Sequence, residues 1–108
     1  MTIEATRFSG GGPRPETGLD IKMLVDGGAY DVRRVLAAPG ERHGPGRHGG
    51  DACVCVLAGS VRFEVGGAGH ELGPGDILWV PADVLRGFEA GPAGAELLAV
   101  HLPRRCLS

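Results

Sequence analysis

Apolar positions along the chain come in short runs separated by glycine, proline and aspartate. They fall at Leu19–Val25, Ala29–Leu36, Ala52–Leu57, Val61–Val65, Asp76–Val80, Leu85–Phe88 and Leu97–Leu102, with a weaker run at His70–Leu72. None sustains the ten or so residues of 3.6-period patterning that an amphipathic helix needs. Val61-Arg62-Phe63-Glu64-Val65 alternates cleanly, which sends apolar side chains one way and charged ones the other, as in a half-buried strand. Gly66-Gly67-Ala68-Gly69 then predicts a hairpin, because glycine accepts the positive φ of tight turns. About eight short strands with regular turn signals predict an all-β antiparallel sandwich or barrel. No repeat at a 20–50 residue period is visible.

Composition narrows this picture. The 108 residues are enough for one domain, expected over 19–108, after a flexible Gly/Pro-rich lead-in over 1–18. Twenty glycines and eight prolines reach a level that can signal disorder, but Leu, Ile, Val and Phe also make up about a quarter of the chain, enough for a core. The net charge of −2 offers no basic excess for a nucleic-acid backbone, so no nucleic-acid partner is expected. No apolar run approaches the roughly 18 residues of a membrane span, and no charged-then-apolar leader opens the chain, so the expected location is cytoplasmic, away from membranes. Cys53, Cys55 and Cys106 form an odd set, read as reduced thiols. Neighbours on one strand face, Cys53 and Cys55 lie roughly 6.5–7 Å apart at Cα with parallel side chains, a poor geometry for a disulfide.

Two stretches carry more than a generic β signal. The first is Pro39-Gly40, then Gly46-Arg47-His48, Ala52, and Gly59. The second runs from Leu72-Gly73-Pro74-Gly75-Asp76 through Val80-Pro81-Ala82-Asp83 to Arg86 and Ala90. In spacing they resemble the two motifs of the cupin superfamily, G-x5-H-x-H-x3/4-E-x6-G and G-x5-P-x-G-x2-H-x3-N, and the resemblance covers 19–103. It implies an RmlC-like jelly-roll barrel, also described as a double-stranded β-helix. It also implies a homodimer joined through N-terminal strands and an outer sheet face; open sheet edges give a physical reason.

The same resemblance marks what has been lost. Positions that hold a divalent ion in metal-binding cupins read Gly46, His48, Ala52 and Arg86 here, so one donor of four remains and no metal or other cofactor is expected. An alternative is a rebuilt site from His43, His48, Cys53 or Cys55, and His101, serving a metal-dependent dioxygenase or isomerase. The family register turns residues 52, 54 and 56 inward and the two cysteines outward, unless a bulge near Gly49-Gly50 reverses them.

Arg86 points into the barrel by the same register. An interior guanidinium calls for a carboxylate (Asp51, Asp83 or Glu89), for a bound anion, or for a path to the solvated mouth. With His48 as general acid or base and Arg86 stabilising an enolate, the pair suits proton-transfer chemistry of isomerase or cyclase type without metal. His43, Trp79, Phe88 and His101 are the expected ligand-binding residues, while His70 at a hairpin exit reads as solvated. The leading expectation is thus a barrel pocket for a small, anionic organic ligand. A second alternative is a non-catalytic sensor or structural cupin, which a barrel without a cavity above about 300 Å³ would favour.

Overall fold

A computed structural model describes residues 14–102. Among these residues the elements are strands β1 (Leu19–Asp26), β2 (Asp31–Ala37), β3 (Arg42–Gly46), β4 (Ala52–Val65), β5 (Ala68–Leu72), β6 (Ile77–Val80) and β7 (Arg86–His101). The first thirteen residues of the expected lead-in, and Cys106, lie outside the described residues. All pairings are antiparallel.

Strands β4 and β7 pair along their length and bend together, which builds both layers of the jelly roll. The first half of β4 pairs with β6 and with the second half of β7, which carries β2 and then β1. The second half of β4 pairs with β5 and with the first half of β7, which carries β3. At the bend the β4–β7 register shifts between Gly59 and Val61. Gly59 has φ +75, and a Cβ there would overlap the Gly94 carbonyl oxygen, so only glycine fits.

Four apolar segments of the sequence therefore fall in two long strands: Ala52–Leu57 with Val61–Val65 form most of β4, and Leu85–Phe88 and Leu97–Leu102 cover the two ends of β7. Strand β3, with the sequence Arg-His-Gly-Pro-Gly, has no apolar alternation and leaves no trace in the pattern. It exists because β7 offers a pairing edge: Arg42 faces Glu89 and His43 faces Phe88. The core gathers Val35 and Ala37 of β2, Val54, Val56, Val61 and Phe63 of β4, and Ala90, Ala95 and Leu97 of β7.

The loops beside the barrel mouth are stitched by hydrogen bonds. Asp51, buried ahead of β4, accepts the Ala82 amide on Oδ1 at 2.9 Å and the Leu102 amide on its carbonyl at 2.8 Å. The Asp83 amide donates to the His48 carbonyl at 2.8 Å. These bonds fix the loop carrying His48 against the loop leading to Arg86.

Candidate functional site: a cationic barrel cavity

A cavity of about 250 Å³ opens on the inner face of the barrel. Its floor is apolar, with Leu19, Val35, Val54, Phe63 and Leu97, and its polar lining is Arg33, Arg47, Arg86, His43, His48 and His101. No carboxylate is among the lining residues.

Alternation along β4 places Ala52, Val54 and Val56 inward and buried, with Cys53 and Cys55 on the opposite face. The expected inward register therefore holds. It also separates both cysteines from the histidines, so the mixed His/Cys ligand set is not brought together. Trp79 requires a correction: it pairs with Cys53, is 58% exposed on the outer face of the sheet, and does not line the cavity. Its neighbour Val80 is the inward residue, because a strand residue and its successor face opposite ways.

Arg86 also departs from expectation. Its Nε donates to the Val84 carbonyl at 2.9 Å and its Nη2 to the Pro81 carbonyl at 2.8 Å. Backbone carbonyls, not Asp51 or Glu89, hold the guanidinium. Burial pulls its pKa below the ordinary arginine value and Asp83 opposes the shift, yet arginine stays a cation.

His43 on β3 packs its ring on Phe88, with centroids 5.5 Å apart, and Phe88 packs on Phe63 at 5.1 Å. His48 and His101 face each other at 4.9 Å between ring centroids. Gly50 anchors the His48 ring at Nδ1, with its amide at 3.0 Å and its carbonyl at 3.1 Å. His101 Nδ1 donates to Asp31 Oδ1 at 3.2 Å, which leaves Nε2 as the acceptor of the neutral ring. Burial lowers the His101 pKa; Asp31 works against this, while His48 and Arg33 add to it. His70 is exposed on β5 opposite Phe63.

Sequence reasoning missed Asp31, Arg33 and Arg47. Asp31 and Arg33 stand two apart on β2, on the face continued by buried Val35 and Ala37. Polar residues on an inward strand face are a usable signal, but the adjacent Arg33-Arg34 pair hides which face is inward.

The donor set does not fit a divalent ion at the family position. Gly46 and Ala52 offer no ligand atom, and Arg86 is a cation held on carbonyls.

The barrel topology and the two glycine–proline motifs define a cupin. The cupin domain family model matches residues 33–101, and the chain belongs to that family. Similar solved structures include KdgF from a Halomonas species, at 24% identity and TM-score 0.76, covering 82% of this chain and 81% of that one. An RmlC-like cupin from Shewanella frigidimarina matches at 24% identity and TM-score 0.76, covering 86% and 83%. A cupin superfamily protein from Desulfitobacterium hafniense matches at 22% identity and TM-score 0.77, covering 82% and 81%. At these identities the likeness is one of fold. No curated protein matches the chain.

Proposed function

We propose that the barrel cavity binds a small organic anion with an apolar body, at a metal-free centre. One observation carries this reading: three arginines and three histidines line the cavity with no carboxylate among them, and the carboxylate behind the lining, Asp31, is shared between Arg33 and His101. Cations gathered in a partly desolvated concavity attract a negative ligand more strongly than the same charges in water. Arginine offers a planar fork to a carboxylate, and Arg86 is already oriented by two carbonyls, so little ordering cost falls on binding. The apolar floor adds roughly 0.8 kcal/mol per buried methylene.

At about 250 Å³ the cavity lies below the roughly 300 Å³ mark, which by size alone favours the non-catalytic sensor or structural cupin; its cationic lining is what supports a ligand. Sites for drug-sized molecules run to roughly 300–1,000 Å³, which points to a smaller ligand here. The imidazoles of His48 and His101, in the same cavity as Arg86, suit proton transfer on a carbonyl-bearing acid, with the cation stabilising an enolate.

A panel of 2-methylpropanoate, benzoate, 4-methyl-2-oxopentanoate, succinate and inorganic phosphate, titrated calorimetrically, tests the reading. The apolar monocarboxylates are expected to bind, and to bind about tenfold more weakly to Arg86→Met or Arg47→Ala, the loss of one charge-assisted contact. No binding by any member, or binding indifferent to both substitutions, overturns it.

We further infer a homodimer joined across the outer face of the sheet that contains β6. There Ile77 and Trp79 are 66% and 58% exposed, on rows shared with Cys55 and Leu98 and with Cys53 and Val100.

A further inference from the structure

His48 and His101 form a partition. Besides the barrel cavity, they line a second cavity of about 300 Å³ on its far side, walled by Gly28–Asp31, Gly49, Gly50 and Leu102. Among the described residues no others line both. The imidazole pair therefore stands between the cationic interior and a vestibule at the β1–β2 turn.

The carboxylate behind this pair is already engaged. Asp31 receives Arg33 on both oxygens, Nε to Oδ1 at 3.1 Å and Nη2 to Oδ2 at 3.4 Å, and the same Oδ1 takes His101 Nδ1. One negative charge thus serves a permanent cation first. A proton on His101 would add a second positive charge to a carboxylate that Arg33 has neutralised, beside His48 and in partial burial. The other groups around His101 supply no compensation. From β2 come Asp31 and Arg33, from the loop before β4 comes His48, and its register partner on β4 is Ala52. The rest of the cavity lining contributes His43, Arg47 and Arg86, and the vestibule contributes Tyr30. Asp31 favours the proton on His101 but shares its charge with Arg33, so any further charge that favours the proton must arrive from outside.

We propose that the cavity takes up its anion together with a proton, and that His101 carries that proton. The inference rests on the anion-binding reading above and adds its regulation: the ligand is held as an anion–imidazolium pair, with Asp31 positioning the ring through Nδ1 so that Nε2 is the protonated atom. Without a ligand, desolvation favours the uncharged imidazole of His101, in keeping with its lowered pKa. A bound carboxylate reverses the balance, because an opposite charge within a few ångströms favours the charged form. Affinity then rises as pH falls from the His101 pKa of the complex to that of the free protein, and is level outside that window.

The test is calorimetric titration of the full-length protein with benzoate at pH 7 in HEPES and in Tris, whose ionisation enthalpies differ. The expected slope of apparent enthalpy against ionisation enthalpy corresponds to uptake of up to about one proton, and affinity weakens by up to about tenfold per pH unit through the window. In His101→Asn the slope falls to near zero. Nuclear magnetic resonance titration of the wild-type imidazoles, with and without benzoate, needs no variant and is expected to show the His101 midpoint moving up on saturation. Benzoate bound with no buffer dependence and an unmoved His101 midpoint overturns the proton coupling and leaves the anion site standing. Uptake that persists in His101→Asn but disappears in His48→Asn overturns the assignment to His101. Absence of any benzoate binding overturns the anion reading, and this inference with it.

Discussion

His101 shows how one side chain reports on the whole cavity. Its ring is pushed toward neutrality by burial first, with Asp31 pulling the other way and His48 and Arg33 reinforcing the burial. The sign of the stability effect follows. A histidine whose folded pKa is depressed binds its proton more readily when unfolded, so its contribution is complete above the ordinary histidine value and is lost as pH falls through the folded one. The ligand-free protein is expected to lose thermal stability between about pH 7 and 5, the range in which histidine titrates. His101→Asn is expected to flatten that part of the profile. A wild-type midpoint that does not move over this range would contradict the account. The lost metal site gives a second prediction. A side chain added at Gly46 would meet open space, and Ala52 and Arg86 line the same cavity. The triple variant Gly46→His, Ala52→Glu, Arg86→His is therefore expected to bind about one divalent ion per chain, since four protein donors suffice for a tetrahedral site. Equilibrium dialysis with zinc measures this, and each single variant is expected to remain without stoichiometric metal.

At the scale of elements, the bend shared by β4 and β7 places the cavity. Each strand contributes one half to each layer, so the inward faces of both layers converge on Phe63, Val54 and Leu97. Gly59→Ala forces a side chain onto the Gly94 backbone at positive φ and is expected to cost more than about 2 kcal/mol in urea unfolding. Gly73→Ala meets nothing within 4 Å and is expected to stay within about 0.5 kcal/mol of wild type. A comparable loss at both sites would remove the steric argument. Most strands were legible in the alternation of the chain, because inward and outward residues differ in hydrophobicity wherever one face is buried. Their continuity was not. Glycine at a bend and glycine at a turn have the same signature, so each long strand reads as two short ones. Strand β3 was illegible for a different reason: its residues are exposed, and pairing with β7 rather than burial makes it a strand.

The whole molecule has two unlike outer faces. On the sheet built from β3, the first half of β7, the second half of β4 and β5, charges alternate across the strands. Arg42 meets Glu89 at 3.4 Å, and Arg62 meets Glu71 at 2.7 Å. Exposed pairs of this kind add little stability, but they keep a face in water. The other sheet presents Ile77 and Trp79 beside Cys53 and Cys55. For the proposed homodimer, sedimentation is expected to give twice the chain mass for the wild type and the single mass for Trp79→Lys, with the fold retained because Trp79 is already largely exposed. A wild type that sediments as one chain at micromolar concentration would end that proposal. Among the described residues no helix is long and apolar enough to cross a membrane.

The amino-acid sequence by itself determined the strand character, the cupin framework of Gly40, Gly59, Gly75 and Pro81, the inward register of Ala52, Val54 and Val56, and the replacement of three metal donors. All of these depend on residue type at fixed spacing, which survives without coordinates. Tertiary structure decided the rest. Asp31 and His101 lie 70 positions apart and meet because β2 and β7 pair in one register. Trp79 is of a type that suits a ligand pocket, but which face it takes is settled by the strand that β6 joins. Arg86 found its partners on the carbonyls of Pro81 and Val84. Every residue has a carbonyl, so residue types alone cannot show which ones a folded loop turns toward a partly buried cation.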